Sequence, residues 1–341
     1  MTSKTVATKT ATPNVVKTIT LIEAVNMAIA HEMGIDNEVV VFGEDVGING
    51  GVFRATDGLQ EKFGSERVID TPLAEAMIAG IAIGMAAQGM KPIAEIQFMG
   101  FIFPAADHII SHCARMRNRT RGRLTLPMVI RAPFGGGIHA PENHSESTEA
   151  IFAHIPGLKV VIPSNPSRAY GLMLAAIRDP DPVIFLEPKR VYRIEKHEIE
   201  DNGEEYPLGV CFVDREGTDI TLVSWGAMLH ETKQAAEKLA AEGISAEVID
   251  VATVSPLDID TILESVKKTG RLCIVQEAPK AGALGSEIAA EVAEKCLMSL
   301  LAPIGRVSGY DIVIPYYRLE KQYMPKVEYI IEEAKRIVEY K

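Results

Sequence analysis

One long uncharged stretch limits the folds open to this chain. Glu75 is followed by Ala, Ile, Met and Gly residues, and no further charge occurs before Lys91. Asp70 or Thr71 is suited to cap a helix here, and Pro72 suits its first position. The pattern predicts a helix over 72–89 that is apolar on every side and therefore buried. Glu75 in its first turn either complements the helix dipole, by about 0.3–1 kcal/mol, or is a shielded carboxylate that binds or protonates a ligand.

Strand-like and helix-like segments alternate around this stretch. Continuous β-branched runs predict buried strands, and amphipathic or apolar runs between them predict helices. This alternation is typical of an α/β, doubly wound and mainly parallel sheet. The predicted strands are 39–42, 92–98, 127–131, 158–163 and 183–186, and the predicted helices are 18–33, 72–89, 104–117 and 166–177.

The same alternation resumes after a polar, charge-rich segment and predicts a second, smaller α/β domain. Its predicted strands are 220–223, 246–251 and 272–275, and its predicted helices are 229–241, 258–268, 284–296 and 327–340. The predicted organisation is a disordered arm at 1–17, a first domain at 18–193, a linker at 194–215 and a second domain at 216–341.

Composition narrows the class of protein. With 35 Lys and Arg against 46 Asp and Glu the net charge is −11, which disfavours binding to nucleic acid or to an anionic membrane. The four cysteines are far apart and form no CxxC pair, so we expect reduced thiols in a cytoplasmic protein. No run resembles a membrane span. Residues 1–17 lack the apolar core of a secretory signal, and a transit peptide is the second interpretation of this arm.

Two loops at predicted strand ends carry candidate functional side chains. Glu44 follows the strand 39–42, where ligands bind in parallel α/β sheets. The loop after strand 127–131 contains three consecutive glycines, then His139 and His144, which are acid–base candidates. The alternative for the segment with Glu44 is a simple turn without a functional role. The alternative for the two histidines is that they only form hydrogen bonds within their loop. The loop lacks the GxxxxGK[ST] pattern of a phosphate-binding P-loop.

Four motifs occur in order: GEDVGINGGVFRAT (43–56), DTPLAEAMIAG (70–80), APFGGGIHAPENHSES (132–147) and SPLDIDTI (255–262). Together they resemble the β subunit of the thiamine-dependent first component of 2-oxoacid dehydrogenase complexes. The resemblance extends from about residue 18 to the C-terminus. It is closest to the bacterial pyruvate dehydrogenase type, with the branched-chain type second.

The resemblance implies a transketolase-like pyrimidine domain, a transketolase C-terminal domain and thiamine diphosphate bound between an α and a β subunit. Glu75 matches the glutamate that hydrogen-bonds the protonated aminopyrimidine ring and favours the tautomer that deprotonates the thiazolium carbon. An anion shielded from water favours a proton on its partner. His144 matches a histidine that helps acyl transfer to a lipoyl group on the second component.

The resemblance also implies supporting residues. Leu73, Gln97 and Phe101 match positions that line the pyrimidine pocket, and Glu44 matches an acid that communicates with the cofactor site. A structural potassium site found in some relatives matches Ala176, Ile177, Asp179 and Asp181.

The chain lacks the GDG motif that, with a later Asn, ligates magnesium beside the diphosphate in members of the family. We therefore expect Mg²⁺ to be held mainly by an α subunit, in an α₂β₂ heterotetramer that serves a lipoyl-bearing acyltransferase core. The predicted activity is oxidative decarboxylation of pyruvate, absent from the isolated chain. The alternatives are a branched-chain 2-oxoacid substrate, a self-sufficient transketolase-like enzyme, which the missing GDG disfavours, and a non-catalytic scaffold using the acidic helix face of Glu287, Glu291 and Glu294.

Overall fold

A computed structural model describes residues 16–341 of the chain. Most of the arm predicted at 1–17 lies outside the described residues, and Val16 and Lys17 belong to the first strand. The predicted linker contains two short strands. The domain bounds stay predictions.

The first half of the chain alternates strands and helices. Its elements are β1 (Val16–Ile19), α1 (Leu21–Ile35), β2 (Val39–Gly43), α2 (Leu59–Phe63), β3 (Val68–Asp70), α3 (Glu75–Ala87), β4 (Lys91–Glu95), α4 (Met116–Arg119), β5 (Val129–Phe134), α5 (Glu149–Ala153), β6 (Lys159–Val161), α6 (Pro166–Arg178) and β7 (Val183–Pro188). The segment between β4 and α4 is a 3₁₀ turn at Met99–Ala105 and a π-helical turn at His108–Cys113, where a continuous helix was predicted.

The second half repeats the alternation. Its elements are β8 (His197–Glu200), β9 (Phe212–Arg215), β10 (Ile220–Ser224), α7 (Met228–Ala241), β11 (Ala246–Asp250), β12 (Thr253–Ser255), α8 (Ile259–Thr269), β13 (Leu272–Pro279), α9 (Leu284–Cys296), β14 (Gly305–Gly309), α10 (Tyr317–Tyr323) and α11 (Val327–Val338). The sequence patterns did not predict β12, β14 or α10, because each is short or lacks a clear period.

A seven-stranded sheet organises the first unit, in the order β12-β6-β7-β5-β4-β2-β3. Six of its strands are parallel, and β12 joins the edge antiparallel to β6. Helices α1 and α6 pack in one apolar cluster, and α3 packs in another with β4 and the 3₁₀ turn. The predicted doubly wound, mainly parallel α/β fold is therefore confirmed.

The second unit has a five-stranded sheet, in the order β14-β13-β10-β11-β9, parallel except for β9. The units are connected in two ways. Strand β12, from the second half of the sequence, pairs within the first sheet. One apolar core also joins Phe134 and Leu186 to Trp225 and Ile249. The two units therefore pack as neighbours around shared apolar contacts.

Two further expectations can be compared with the structure. All four cysteines are free, as predicted, and all four are buried. Within residues 16–341, no helix combines the length and apolar character needed to cross a bilayer.

Candidate active site

Helix α3 begins at Glu75, three residues later than the capping pattern predicted. Ala74 occupies the N-cap position and makes no side-chain cap. Asp70 instead ends β3, where its Oδ1 accepts a 2.6 Å hydrogen bond from the Gly47 amide. The cap prediction was wrong because Asp70 is committed to the neighbouring loop. Because the helix starts later, Glu75 is its first residue. The side chain is half-buried there, and the helix dipole stabilises a negative charge at this end.

Glu44 lies beside Glu75 at the carboxyl end of β2. Its side chain is buried, and within residues 16–341 its Oε1 has no hydrogen-bond partner. Burial raises the Glu44 pKa, and the nearby negative charges of Glu75 and Asp45 raise it further, against a hydrogen bond donated by the Ala74 amide. Buried carboxylate oxygens usually accept a hydrogen bond, so a donor from a bound ligand would complete the bonding of this atom. This pair of carboxylates can therefore accept a proton-bearing group presented at the strand ends.

An aromatic cluster contains two further candidate residues, Phe101 and His144. The ring centroids of Phe98 and Phe101 lie 5.5 Å apart, and the His144 ring lies 4.4 Å from Phe98 and 5.0 Å from Phe101. A Cβ on Gly100 would lie 2.2 Å from the Asn143 carbonyl oxygen, so glycine permits this approach. The fold thus brings His144 to Phe101 although the two are far apart in sequence.

The hydrogen bond of His144 defines which ring nitrogen is available. Its Nδ1 lies 2.8 Å from Asn143 Oδ1. Because an amide oxygen only accepts, this contact requires a proton on Nδ1 and leaves Nε2 of the neutral ring as a proton acceptor. His139 is separate from this cluster, since its Nδ1 lies 2.6 Å from Glu320 Oε2.

The two remaining pocket candidates differ in exposure. Gln97 follows β4 and is half-buried, whereas the Leu73 side chain is 84% exposed. Met77 and Ile81 continue from Leu73 at helical spacing and are also exposed, while Ile78 and Ala82 are buried. Helix α3 is therefore buried on one face only, and the prediction that this chain buries it on every side was wrong.

A buried ionic network lies beneath the site. Arg131 on β5 donates from Nε and Nη2 to both oxygens of Glu187 on β7, at 2.6 and 2.7 Å, and from Nη1 to Glu95 on β4. Tyr192 donates a fourth bond, at 2.7 Å, to Glu187. Burial raises the Glu95 pKa to about 6, against the attraction of Arg131. The network joins three neighbouring strands below the loop that carries Glu44.

Sequence reasoning missed these network residues. Glu95, Arg131 and Glu187 each interrupt or end a β-branched strand run, and a charge inside such a run is a signal of a buried pair. The sequence therefore indicated that these charges are paired. It did not indicate which residues pair with each other, because the pairing depends on the order of the strands in the sheet.

The predicted potassium residues lie around the end of α6. Ala176 and Ile177 are buried in its last turn. Asp179 pairs with Lys159, and Asp181 Oδ1 accepts a 2.6 Å bond from Arg117 Nε. Carbonyl oxygens in the last turn of a helix lack intrahelical partners and suit a cation, but both carboxylates already have cationic partners. Potassium binding here stays a prediction.

The acidic face of α9 is partly neutralised. Glu287 and Glu294 are exposed, whereas Glu291 pairs with Lys295 one turn along the helix.

Glu149 provides a pH-dependent prediction at the junction of the two units. It is fully buried, and its Oε1 accepts a 3.1 Å bond from Nε1 of Trp225, the single tryptophan. Burial raises its pKa from 4.5 to about 7, and Glu277 adds to the shift. A folded-state pKa above the unfolded one means that stability is lost as pH rises from about 4.5 to about 7.

Replacing Glu149 by Gln keeps an acceptor for Trp225 and removes this penalty. We expect Glu149→Gln to match the parent below pH 4.5 and to gain about 3 kcal/mol of unfolding free energy above pH 7. Urea unfolding followed by Trp225 fluorescence across this range measures the difference. Glu264→Gln, at an exposed position, is the control, and a pH-independent difference for Glu149→Gln would contradict the assignment.

The fold and the site together define a transketolase-type chain. The family described as "Transketolase, pyrimidine binding domain" matches residues 17–195, and "Transketolase, C-terminal domain" matches residues 209–330. A solved chain titled "Split gene transketolase, inactive beta4 tetramer" shares the fold with a TM-score of 0.78 at 23% identity, covering 94% of this chain and 99% of that chain.

Curated relatives narrow the class. The "Pyruvate dehydrogenase E1 component subunit beta" of Acholeplasma laidlawii is 52% identical over 319 residues, covering 94% of this chain and 98% of that protein. The protein of the same name from Bacillus subtilis is 48% identical over 322 residues, covering 94% and 99%. This chain belongs to the family of pyruvate dehydrogenase first-component β subunits, a family that depends on thiamine diphosphate. The predicted recognition is therefore confirmed.

Proposed function

We propose that this chain supplies the pyrimidine-binding half of a thiamine diphosphate site, completed by an α subunit, for the oxidative decarboxylation of pyruvate and acyl transfer to lipoyl groups. The observation that carries the proposal is the paired carboxylates, Glu44 and Glu75, at the strand ends beside the exposed apolar face of α3. Curated relatives named for pyruvate support this substrate over a branched-chain one.

The residues present suit the cofactor. Glu75 is a carboxylate at a helix start, and next to it lies Glu44, whose Oε1 has no hydrogen-bond partner in the described part of the chain. Phe101, in the 3₁₀ turn that packs against α3, offers an aromatic ring, and Gln97, just after β4, offers an amide. When bound, thiamine diphosphate supplies the electron sink for decarboxylation. Glu75 would hold a proton on the pyrimidine ring, because an ionised carboxylate shielded from water favours the protonated form of its partner.

His144 has a separate role in this proposal. Its ring lies against Phe98 and Phe101 and its Nε2 can accept a proton when the ring is neutral, and we assign His144 to proton transfer during acyl transfer to the lipoyl group. Mg²⁺ and the diphosphate would be held mainly by the α subunit, since the chain has no GDG motif. The buried free thiols favour a cytoplasmic location.

The exposed face of α3 supports the need for a partner. Leu73, Met77 and Ile81 form an apolar row next to two small residues, Gly80 and Gly84, and a Cβ on either glycine would meet no atom of residues 16–341 within 4 Å. Such a row buries well against another chain. An α₂β₂ assembly would cover it and shield Glu75 from water.

Reconstitution tests this proposal. The chain alone should show no turnover, and its mixture with a GDG-bearing α subunit, thiamine diphosphate and Mg²⁺ should decarboxylate pyruvate with an artificial electron acceptor. Rates for pyruvate, 2-oxobutyrate and branched 2-oxoacids should be compared in the same assay. Turnover by the isolated chain would refute the shared site, and a preference for branched substrates would refute the pyruvate assignment.

A further inference from the structure

The glycine-rich loop between β5 and α5 is held by a carboxylate from the second sheet. Glu277, on β13, is buried and lies against the start of this loop. Its Oε1 accepts hydrogen bonds from the Gly136 amide and, at 3.0 Å, from the Ser147 hydroxyl. These two contacts hold both ends of the segment that contains His144.

A second carboxylate, from α10, holds the middle of the same loop. Glu320 is 1% exposed, and its Oε1 accepts a 2.8 Å bond from the Gly137 amide. Its Oε2 accepts a 3.0 Å bond from the His139 amide and lies 2.6 Å from His139 Nδ1. One side chain thus receives three donors from a loop more than 180 residues away in sequence.

The loop conformation needs this external support. Gly135 and Gly137 have φ values of 83° and 85°, and His139, which has a Cβ, has a φ of 62°. Left-handed backbone is unfavourable for a non-glycine residue and persists only when surrounding contacts determine it. The carboxylate of Glu320 provides such contacts at the His139 amide and ring.

A buried lysine lies close to both carboxylates. Lys189 is 4% exposed, and within the described residues its Nζ has no hydrogen-bond partner. Burial lowers its pKa to about 8, while the charges of Glu277 and Glu320 favour its protonated form. Its positive charge offsets the cost of burying two anions in the same region.

We propose that Glu277 and Glu320 are positioning residues by which the C-terminal unit holds the His144 loop in its acyl-transfer geometry. This inference rests on the proposed function, because it assigns His144 to the acyl-transfer step. Loosening the loop displaces His144 and leaves Glu44 and Glu75, on other elements, in place. The acyl-transfer step therefore depends on Glu320 more strongly than decarboxylation does.

The test compares Glu320→Gln with the parent in the reconstituted complex. The substitution keeps the shape and removes the charge, and it replaces one acceptor oxygen by a donor. We expect kcat/KM for reductive acetylation of a lipoyl domain to fall about tenfold or more, as expected for lost hydrogen bonds to a charged group. The rate of pyruvate decarboxylation with an artificial acceptor should change less than twofold.

Hydrogen exchange gives a readout that does not depend on activity. The amides of Gly137 and His139 should exchange faster in Glu320→Gln than in the parent, with no change in α3. Glu332→Gln, at an exposed position on the neighbouring helix α11, is the matched control and should change neither measurement.

Two results would overturn the inference: equal losses in both partial reactions, or unchanged exchange in the loop. If Glu320→Gln fails to fold, Glu320→Asp, which keeps the charge but shortens its reach, should show the same split to a smaller degree. An inactive parent complex would count against the proposed function, whereas unchanged exchange counts against the role of Glu320 alone.

Discussion

Glu75→Gln should lower pyruvate decarboxylation by the reconstituted complex by about 100-fold or more, the range lost when a proton-transfer group is removed. The substitution preserves the shape of the side chain but removes the anion that would hold a proton on the pyrimidine ring. Assembly with the α subunit should survive, because glutamine fills the same space as glutamate at the start of α3. Steady-state rates with an artificial acceptor, together with sedimentation of the complex, measure both effects.

A matched control distinguishes the loss of the Glu75 carboxylate from the loss of a negative charge elsewhere on the same unit. Glu66→Gln removes an exposed glutamate on the same unit and should leave the rate unchanged. A Glu75→Gln complex with near-parental turnover would refute the proton role and leave only the dipole interpretation. A complex that fails to assemble would show that Glu75 acts in the interface instead.

Arg131→Met should destabilise the fold by about 3–5 kcal/mol, the usual cost of removing one partner from a buried ion pair. The substitution leaves Glu95 and Glu187 buried without their cation. Urea unfolding followed by Trp225 fluorescence measures the loss. The deficit should be smaller at pH 5 than at pH 8, because burial raises the pKa of Glu95 and its protonation at low pH removes one of the buried charges once the arginine is absent.

Removing all three charges provides the control for this network. In Glu95→Gln/Arg131→Met/Glu187→Gln no buried charge is left unpaired, and we expect most of the lost unfolding free energy to return. A triple variant as unstable as Arg131→Met would show that packing, and not charge, dominates at this position.

Much of the fold was predictable from local sequence patterns. Strands β2, β7 and β10 and helices α6, α7 and α9 match their predicted positions within a few residues. Period and composition are local properties, so they identify an element without knowledge of its neighbours. The start of α3 was predicted wrongly because Asp70 forms a tertiary bond to Gly47 that competes with its capping role.

The candidate site was predicted in part. Glu44, Glu75, Phe101 and His144 were proposed from strand ends and motifs, and the fold groups them as two pairs, Glu44 with Glu75 and Phe101 with His144. Their catalytic roles stay predictions. Glu320 was not anticipated, because its helix is short and its partners lie in a loop of the other unit.

The sequence by itself determined the alternating α/β elements, the single carboxylate at the start of an apolar helix and the absence of a GDG motif. Only the tertiary structure decided that Arg131 joins Glu95 to Glu187 and that Glu320 holds the loop before His144. The physical reason is that hydrophobic periodicity acts over a few residues. Ion pairs and loop contacts depend on strand order and on how two sheets pack, which no local pattern encodes.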